Sequence, residues 1–156
     1  MRVLLIYLSD SNDRREFSTT IAPIGIFTTA AYLEEEGHSV TVANFSHLGY
    51  RKAVKTVEET VPDAIGISLL THNRIDSLKL AKEIRKALPS ALIFCAGPHA
   101  SGLADEIAKR NPEIDYVIKG DVELTLAEIL KKKDRPEHGV IEGKKIKDLS
   151  VIPSPA

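Results

Sequence analysis

The amino-acid sequence predicts an α/β protein, a three-layer sandwich with a five-stranded parallel sheet between two sets of helices. Three observations predict it. Short, almost wholly apolar runs such as Asp63-Ala64-Ile65-Gly66-Ile67-Ser68-Leu69-Leu70 recur along the chain and read as strands buried on both faces. Each run is followed by a stretch with apolar residues at helical spacing. The two kinds of segment alternate five times, as they do where crossover helices join parallel strands.

Bulk properties set the outer limits. The 156 residues fit one domain, since domains usually hold about 100–150. Hydrophobic residues make up 43% of the chain, enough for a real core. With 21 basic and 22 acidic side chains the formal charge is −1, so there is no basic field and a nucleic-acid partner is not expected. Lys131-Lys132-Lys133 closes a helical pattern and reads as a solvated helix end favoured by the dipole. The single Cys95 excludes an internal disulfide and points to a reducing, cytoplasmic setting. No apolar run approaches the roughly 20 residues of a membrane span. Met1 to Leu8 is too short for a signal-peptide core and reads as a first strand, so no membrane partner is expected.

The elements follow in order. Val3 to Leu8 is strand one, followed by a polar loop from Ser9 to Thr20 that is long for a compact domain and therefore a candidate for function. Pro23 suits the first turn of a helix carrying Ile24, Phe27 and Ala31 and stopped at Gly37. Ser39 to Ala43 alternates as strand two. Val54, Val57 and Val61 mark the next helix, which Pro62 stops. The central run beginning at Asp63 is strand three. Asn73 opens a helix with Leu78, Ala81, Ile84 and Leu88 on one face. Ala91 to Cys95 is strand four with Ala96-Gly97-Pro98 as its turn, and Leu103 to Arg110 is a helix. Ile114 to Ile118 is strand five, Gly120 its turn, and Glu123 to Lys132 the last helix.

This element count favours the flavodoxin-like (Rossmann-like) strand order 2-1-3-4-5, with residues 1–133 as the α/β domain. Gly139 to Ile146 reads as a small hairpin, and Asp148 to Ala156, with two prolines and no periodicity, as a linker. Residues 134–156 are thus expected to lead toward a further domain. In an open parallel sheet, ligands bind at the carboxyl edge where the strand order reverses. Here that crevice falls between strands one and three, flanked by the Ser9–Thr20 loop and the Ser68–His72 turn.

Three ligand classes fit poorly. A dinucleotide needs G-x-G-x-x-G after strand one, and the stretch from Ser9 to Ala22 has no glycine. Flavin mononucleotide needs an amide-rich phosphate cradle there, whereas Ser18-Thr19-Thr20 offers hydroxyls. A phospho-acceptor receiver needs an aspartate at the end of strand three, where Leu70 or Thr71 stands. What remains is a set of small residues at three strand ends: Ser68, Ala96-Gly97 and Gly120. They leave a slot for something flat and bulky.

At these positions the chain resembles the cobalamin (vitamin B12)-binding domain at the amino end of radical S-adenosylmethionine (SAM) enzymes. Ala22-Pro23-Ile24-Gly25 and Ala30-Ala31-Tyr32-Leu33-Glu34-Glu35-Glu36-Gly37-His38 are similar to that family's first helix and the approach to its second strand. Gly66-Ile67-Ser68-Leu69-Leu70, Ala96-Gly97-Pro98-His99-Ala100 and Tyr116-Val117-Ile118-Lys119-Gly120 are similar to its next three strand ends. Asp148 to Ala156 looks like its connector into the catalytic barrel. Order carries the resemblance: four signatures in sequence, then the connector.

The resemblance implies cobalamin as cofactor, with contacts from Ser9 and Asp10 after strand one. It implies further contacts from Ser68, Leu70 and Thr71, from Ala96, Gly97 and Pro98, and from Gly120 and Glu123. Ser68 and Leu70 would help seat the dimethylbenzimidazole tail. Gly97 would let the tail pass close to the backbone, since glycine permits close approach. Gly120 to Glu123 would border the tail or the corrin. One departure matters: the stretch from Ser9 to Ala22 has no histidine, so no protein ligand to cobalt, and no other metal ligand, is expected. His38, His47 and His138 have no paired ligand spacing, and His72 and His99 read as capping or exposed residues.

The chain also lacks the C-x-x-x-C-x-x-C that would hold a four-iron cluster. By the resemblance, that cluster and SAM belong to a C-terminal radical SAM barrel of the same parent chain, so the gene should continue beyond Ala156. The chain alone should catalyse nothing. Its parent would be a methyltransferase or a tetrapyrrole cyclase. The competing expectation is a flavodoxin-like receptor or scaffold domain that has lost its cofactor. A free corrinoid shuttle ranks below both, because such proteins usually carry a helical cap ahead of strand one, which here starts at Val3.

Overall fold

In the computed structural model, which describes residues 1–8, 23–46, 48–132 and 137–155, strand β1 (Arg2–Tyr7) lies within a parallel sheet of six strands. Around it are β2 (Ser39–Asn44), β3 (Ala64–Ser68), β4 (Leu92–Ala96), β5 (Tyr116–Lys119) and β6 (Gly139–Glu142). The order is 2-1-3-4-5-6 and every neighbouring pair is parallel. The flavodoxin-like order expected from the sequence is present, with the reversal between β1 and β3.

The helices are α1 (Ile24–Glu35), α2 (Tyr50–Thr60), α3 (Arg74–Ala87), α4 (Pro98–Gly102), α5 (Ala104–Arg110) and α6 (Glu123–Lys131), with a 3₁₀ turn at Leu149–Val151. Strand alternation sorts the core into two layers. From β1, Val3, Leu5 and Tyr7 pack with Ile26 and Leu33 of α1 and Leu126 and Leu130 of α6. Leu4 and Ile6 face the other way, toward Val57 of α2, Leu80 and Ile84 of α3 and Ile107 of α5. The sheet is therefore buried on both faces, which explains why its strands read as continuous apolar runs.

Two expectations need correction. The sheet has six strands rather than five, and Gly139–Glu142 is the sixth rather than one arm of a hairpin. The apolar pair Val140-Ile141 drives this. Val140 packs against the α2/α3/α5 layer and Ile141 against the α1/α6 layer, while the strand pairs the otherwise open edge of β5. The chain then runs straight on through Gly143 instead of turning back. The second correction lies after β4, where the expected turn at Pro98 is a short helix, α4, ahead of α5. Pro98 occupies its first position, where a missing N–H costs nothing. Among the described residues, no helix is long and apolar enough to cross a membrane.

Candidate functional site

A cleft of about 500 Å³ opens at the carboxyl edge of the sheet, on the face covered by α1 and α6. Such a volume suits a small ligand or part of a larger one. Its floor is built from β-strand residues that point toward α1: Leu5, Gly66, Ser68, Phe94 and Ala96. Gly66 makes this floor possible. A Cβ there would lie 2.5 Å from Cζ of Phe94 and 2.7 Å from Cδ2 of Leu5. The absent side chain lets those two groups close the sheet surface beneath the cleft.

Of the residues expected from the sequence, Ser68, Leu70, Ala96, Gly97, Pro98, Gly120 and Glu123 all line this one cleft. Thr71 does not. Past Ser68, alternation sends Leu69 into the opposite core layer and leaves Leu70 on the cleft side. Thr71 is exposed, with its hydroxyl 3.2 Å from Nδ1 of His99. Ser9 and Asp10 lie outside the described residues.

The turn that presents Ser68 and Leu70 is held by Asn73, which is 2% exposed. Its Nδ2 donates to the carbonyls of Leu8 at 2.8 Å and Ser68 at 3.3 Å, and its Oδ1 accepts from the Leu70 amide at 2.8 Å. One side chain thus ties the end of β1 to the end of β3 across the strand reversal. Gly97 closes the turn from the β4 side. Its φ of +120° is a conformation that favours glycine, and a Cβ would meet the Leu69 carbonyl at 2.8 Å. One close approach that needs this glycine is that of the chain's own β3 turn. The Leu69 amide donates to Ala96 at 2.8 Å and the His99 amide to Leu69 at 3.2 Å. The Ser68 hydroxyl has no hydrogen-bond partner among the described residues and stands free at the cleft floor.

The opposite wall carries a carboxylate. Glu123, 8% exposed, opens α6. The Thr29 hydroxyl of α1 lies 3.1 Å from its Oε1 and 2.8 Å from the Gly25 carbonyl. The Val122 amide donates to its Oε2 at 3.1 Å. Among the described residues no lysine or arginine pairs with it, and its remaining lone pairs can accept a donor from a ligand. Beside it the Gly120 amide donates to the Ser101 hydroxyl at 3.0 Å. A Cβ on Gly120 would meet nothing within 4 Å, so the space above it is open. Thr29 and Ser101 line the cleft and are not expected from the sequence, and Asp121 and Val122 line it within the expected Gly120–Glu123 stretch. Thr29 and Ser101 lie inside helices, where nothing local marks them as cleft residues. Asp121 and Val122 were enclosed by the Gly120–Glu123 signal without being singled out. Among the described residues, no group of three or more histidine, cysteine, aspartate or glutamate side chains could hold a metal ion.

The cleft can therefore take an apolar, flat group against Leu5, Ile26, Phe94 and Leu70, with a hydroxyl contact from Ser68 on the floor and a carboxylate contact from Glu123 in the wall. Comparison with known proteins agrees in kind. A family model described as the B12 binding domain matches residues 14–130. An uncharacterised methyltransferase of Pyrococcus horikoshii is 27% identical over 133 residues, covering 83% of this chain and 29% of that protein. The anaerobic magnesium-protoporphyrin IX monomethyl ester cyclase of Synechocystis is 27% identical over 114 residues, covering 70% of this chain and 23% of that protein. The cobalamin-dependent radical SAM methyltransferase TokK of Streptomyces tokunonensis is 25% identical over 84 residues, covering 53% of this chain and 12% of that protein. In each case the chain spans less than a third of its relative's length. The structure of the cobalamin-dependent SAM radical enzyme OxsB, with aqua-cobalamin and SAM bound, superposes with a TM-score of 0.78 at 17% identity. It covers 99% of this chain and 24% of that one, and at this identity it shows the shared fold.

Proposed function

The chain belongs to the B12-binding domain family, and from that premise we propose that it holds cobalamin, with the tail in the cleft and the corrin above the carboxyl edge of the sheet. One observation supports the reading: seven of the residues named from the sequence line a single, mainly apolar cleft that also holds hydroxyls and a carboxylate. A volume of about 500 Å³ suits a nucleotide-sized tail. Ser68 supplies a free hydroxyl for a heteroatom of the base, and Glu123 accepts an O–H or N–H donor. Leu5, Ile26, Leu70 and Phe94 exclude water from the faces of the base. Asn73 and Gly97 hold the turn that presents Ser68 and Leu70.

When bound, cobalamin would bring a cobalt centre able to serve methylation or ring formation. We assign that chemistry to a longer parent protein of which this chain is the cofactor module, followed by a radical SAM barrel with its own four-iron cluster and SAM. The relatives support this: they include a cobalamin-dependent radical SAM methyltransferase and a tetrapyrrole cyclase, each several times longer than the matched region. The deciding experiment is incubation with hydroxocobalamin followed by gel filtration. Visible corrinoid absorption should co-elute with the protein, and colourless protein would favour a scaffold that has lost its cofactor.

A further inference from the structure

The segment that follows β6 is tied to the end of β5 and to α6. Lys119, the last residue of β5, accepts from the Gly143 amide at 2.7 Å, which extends the β5–β6 pairing past the strand ends. The Lys144 amide donates to the Thr125 hydroxyl of α6 at 2.8 Å, and its ammonium pairs with Glu128. The Ile146 amide donates to the Asp121 carboxylate at 2.9 Å. Glu142 to Ile146 therefore lies as a strap across the Gly120–Val122 loop and the first turns of α6, the same backbone that forms one wall of the cleft. The fit is close. A Cβ on Gly143 would sit 2.0 Å from the Asp121 carbonyl oxygen and 2.9 Å from that of Lys119. Both are backbone atoms, so the clash can be relieved only by moving the loop or the strap.

We propose that the strap is part of the cofactor site, with Gly143 as a positioning residue that sets the Gly120–Glu123 wall, so that cleft occupancy and the state of the strap are coupled. The inference rests on the cobalamin reading and adds to it a route from the cleft to the chain beyond residue 146. Asp121 is the joint. Its residue lines the cleft, its carbonyl abuts Gly143 and its carboxylate holds the Ile146 amide. A cofactor seated against Gly120–Glu123 restricts that joint and so secures the strap. An empty cleft leaves the joint free to loosen. By reciprocity, whatever displaces the strap weakens cofactor binding by the same factor.

The test follows amide exchange by NMR in the whole chain, with and without hydroxocobalamin. Cofactor should slow exchange of the Lys144 and Ile146 amides several-fold, together with Leu70 and Gly120 in the cleft wall. Protection of Leu70 and Gly120 with Lys144 and Ile146 unchanged overturns the coupling while leaving the cobalamin reading intact. Bound corrinoid absorption without protection anywhere in the wall overturns both the placement and the coupling. Protein that takes up no corrinoid overturns the cobalamin reading and the coupling with it. A second arm uses Gly143→Ala. In ligand-free protein the Gly120 amide should exchange faster, and hydroxocobalamin should bind about tenfold more weakly than to the wild type. Lys145→Ala, at an exposed neighbouring position, should change neither. Equal affinity and equal Gly120 exchange in the wild type and Gly143→Ala refute the positioning role.

Discussion

Asn73→Ala should destabilise the protein by about 3 kcal/mol, chiefly through the two short hydrogen bonds it removes. Asn73 flanks α3, and an asparagine there suggests a helix cap. It makes no side-chain cap, however, so the usual capping loss does not apply. Its side chain reaches back to the sheet edge, and the cost arises there. Truncation leaves the half-buried Leu70 amide and Leu8 carbonyl without their 2.8 Å partners, each within the range of about 1–3 kcal/mol for an unsatisfied group and below its top because water can reach them in part. The 3.3 Å bond to Ser68 adds little. A domain of this size is stable by about 5–15 kcal/mol, so the variant still folds. With a urea m-value of about 2 kcal/mol/M, the unfolding midpoint followed by circular dichroism should fall by about 1.5 M. Asn73→Asp sharpens the reasoning. It keeps an acceptor for the Leu70 amide but sets a carboxylate against two carbonyl oxygens. It should be at least as damaging as alanine at neutral pH and recover as acid protonates it into a donor. A loss below about 1 kcal/mol for alanine, or an aspartate variant as stable as the wild type, would refute the clamp.

Other consequences follow from single residues. Gly66→Ala should cost about 1–3 kcal/mol and lower the melting temperature, because its Cβ falls within 2.7 Å of Phe94 and Leu5, both buried. A neutral substitution would mean that the cleft floor can shift. Burial pushes the Cys95 thiol up to about 12, so at pH 8 only about one part in ten thousand is thiolate. Thiol reagents should then label it only as fast as the protein opens, and a rapid native burst would contradict this. His38 lies below the ordinary histidine pKa because burial disfavours the imidazolium, with repulsion from the Met1 ammonium and Lys131 adding to it. Its contribution is fully present above pH of about 6.5 and lost as pH falls toward the folded value, so His38→Gln should flatten the acid-side decline in stability. An unchanged slope would exclude it. Finally, no protein histidine should coordinate cobalt in the loaded protein, because Ser9–Ala22 offers no imidazole and the His99 Nδ1 faces Thr71. Nitrogen superhyperfine splitting in the cobalt(II) spectrum that vanishes in His72→Ala or His99→Ala would show otherwise.

What the sequence made legible follows from what is local in it. Strand alternation and helical spacing are properties of neighbours, so the order 2-1-3-4-5 and the strand ends at Ser68, Ala96 and Gly120 could be read directly. Small residues at those ends announced a cleft because only the absence of side chains can make one there. The partnerships were not legible. Nothing near Thr29 says that it meets Glu123, ninety-four residues away, and Asn73 looks like a helix opener until β1 and β3 are placed side by side. β6 was missed for a related reason. Glu142-Gly143-Lys144 has the composition of a turn, but its glycine is there because the Asp121 carbonyl occupies the space a side chain would need. Gly97 shows the same ambiguity. The resemblance attributes it to a ligand's approach, and the structure adds a cause within the chain, the Leu69 carbonyl. A glycine in a sequence records that something comes close without recording what. Here three of them, Gly66, Gly97 and Gly143, record the protein's own packing, and that packing in turn shapes the floor, the turn and the wall of the cleft.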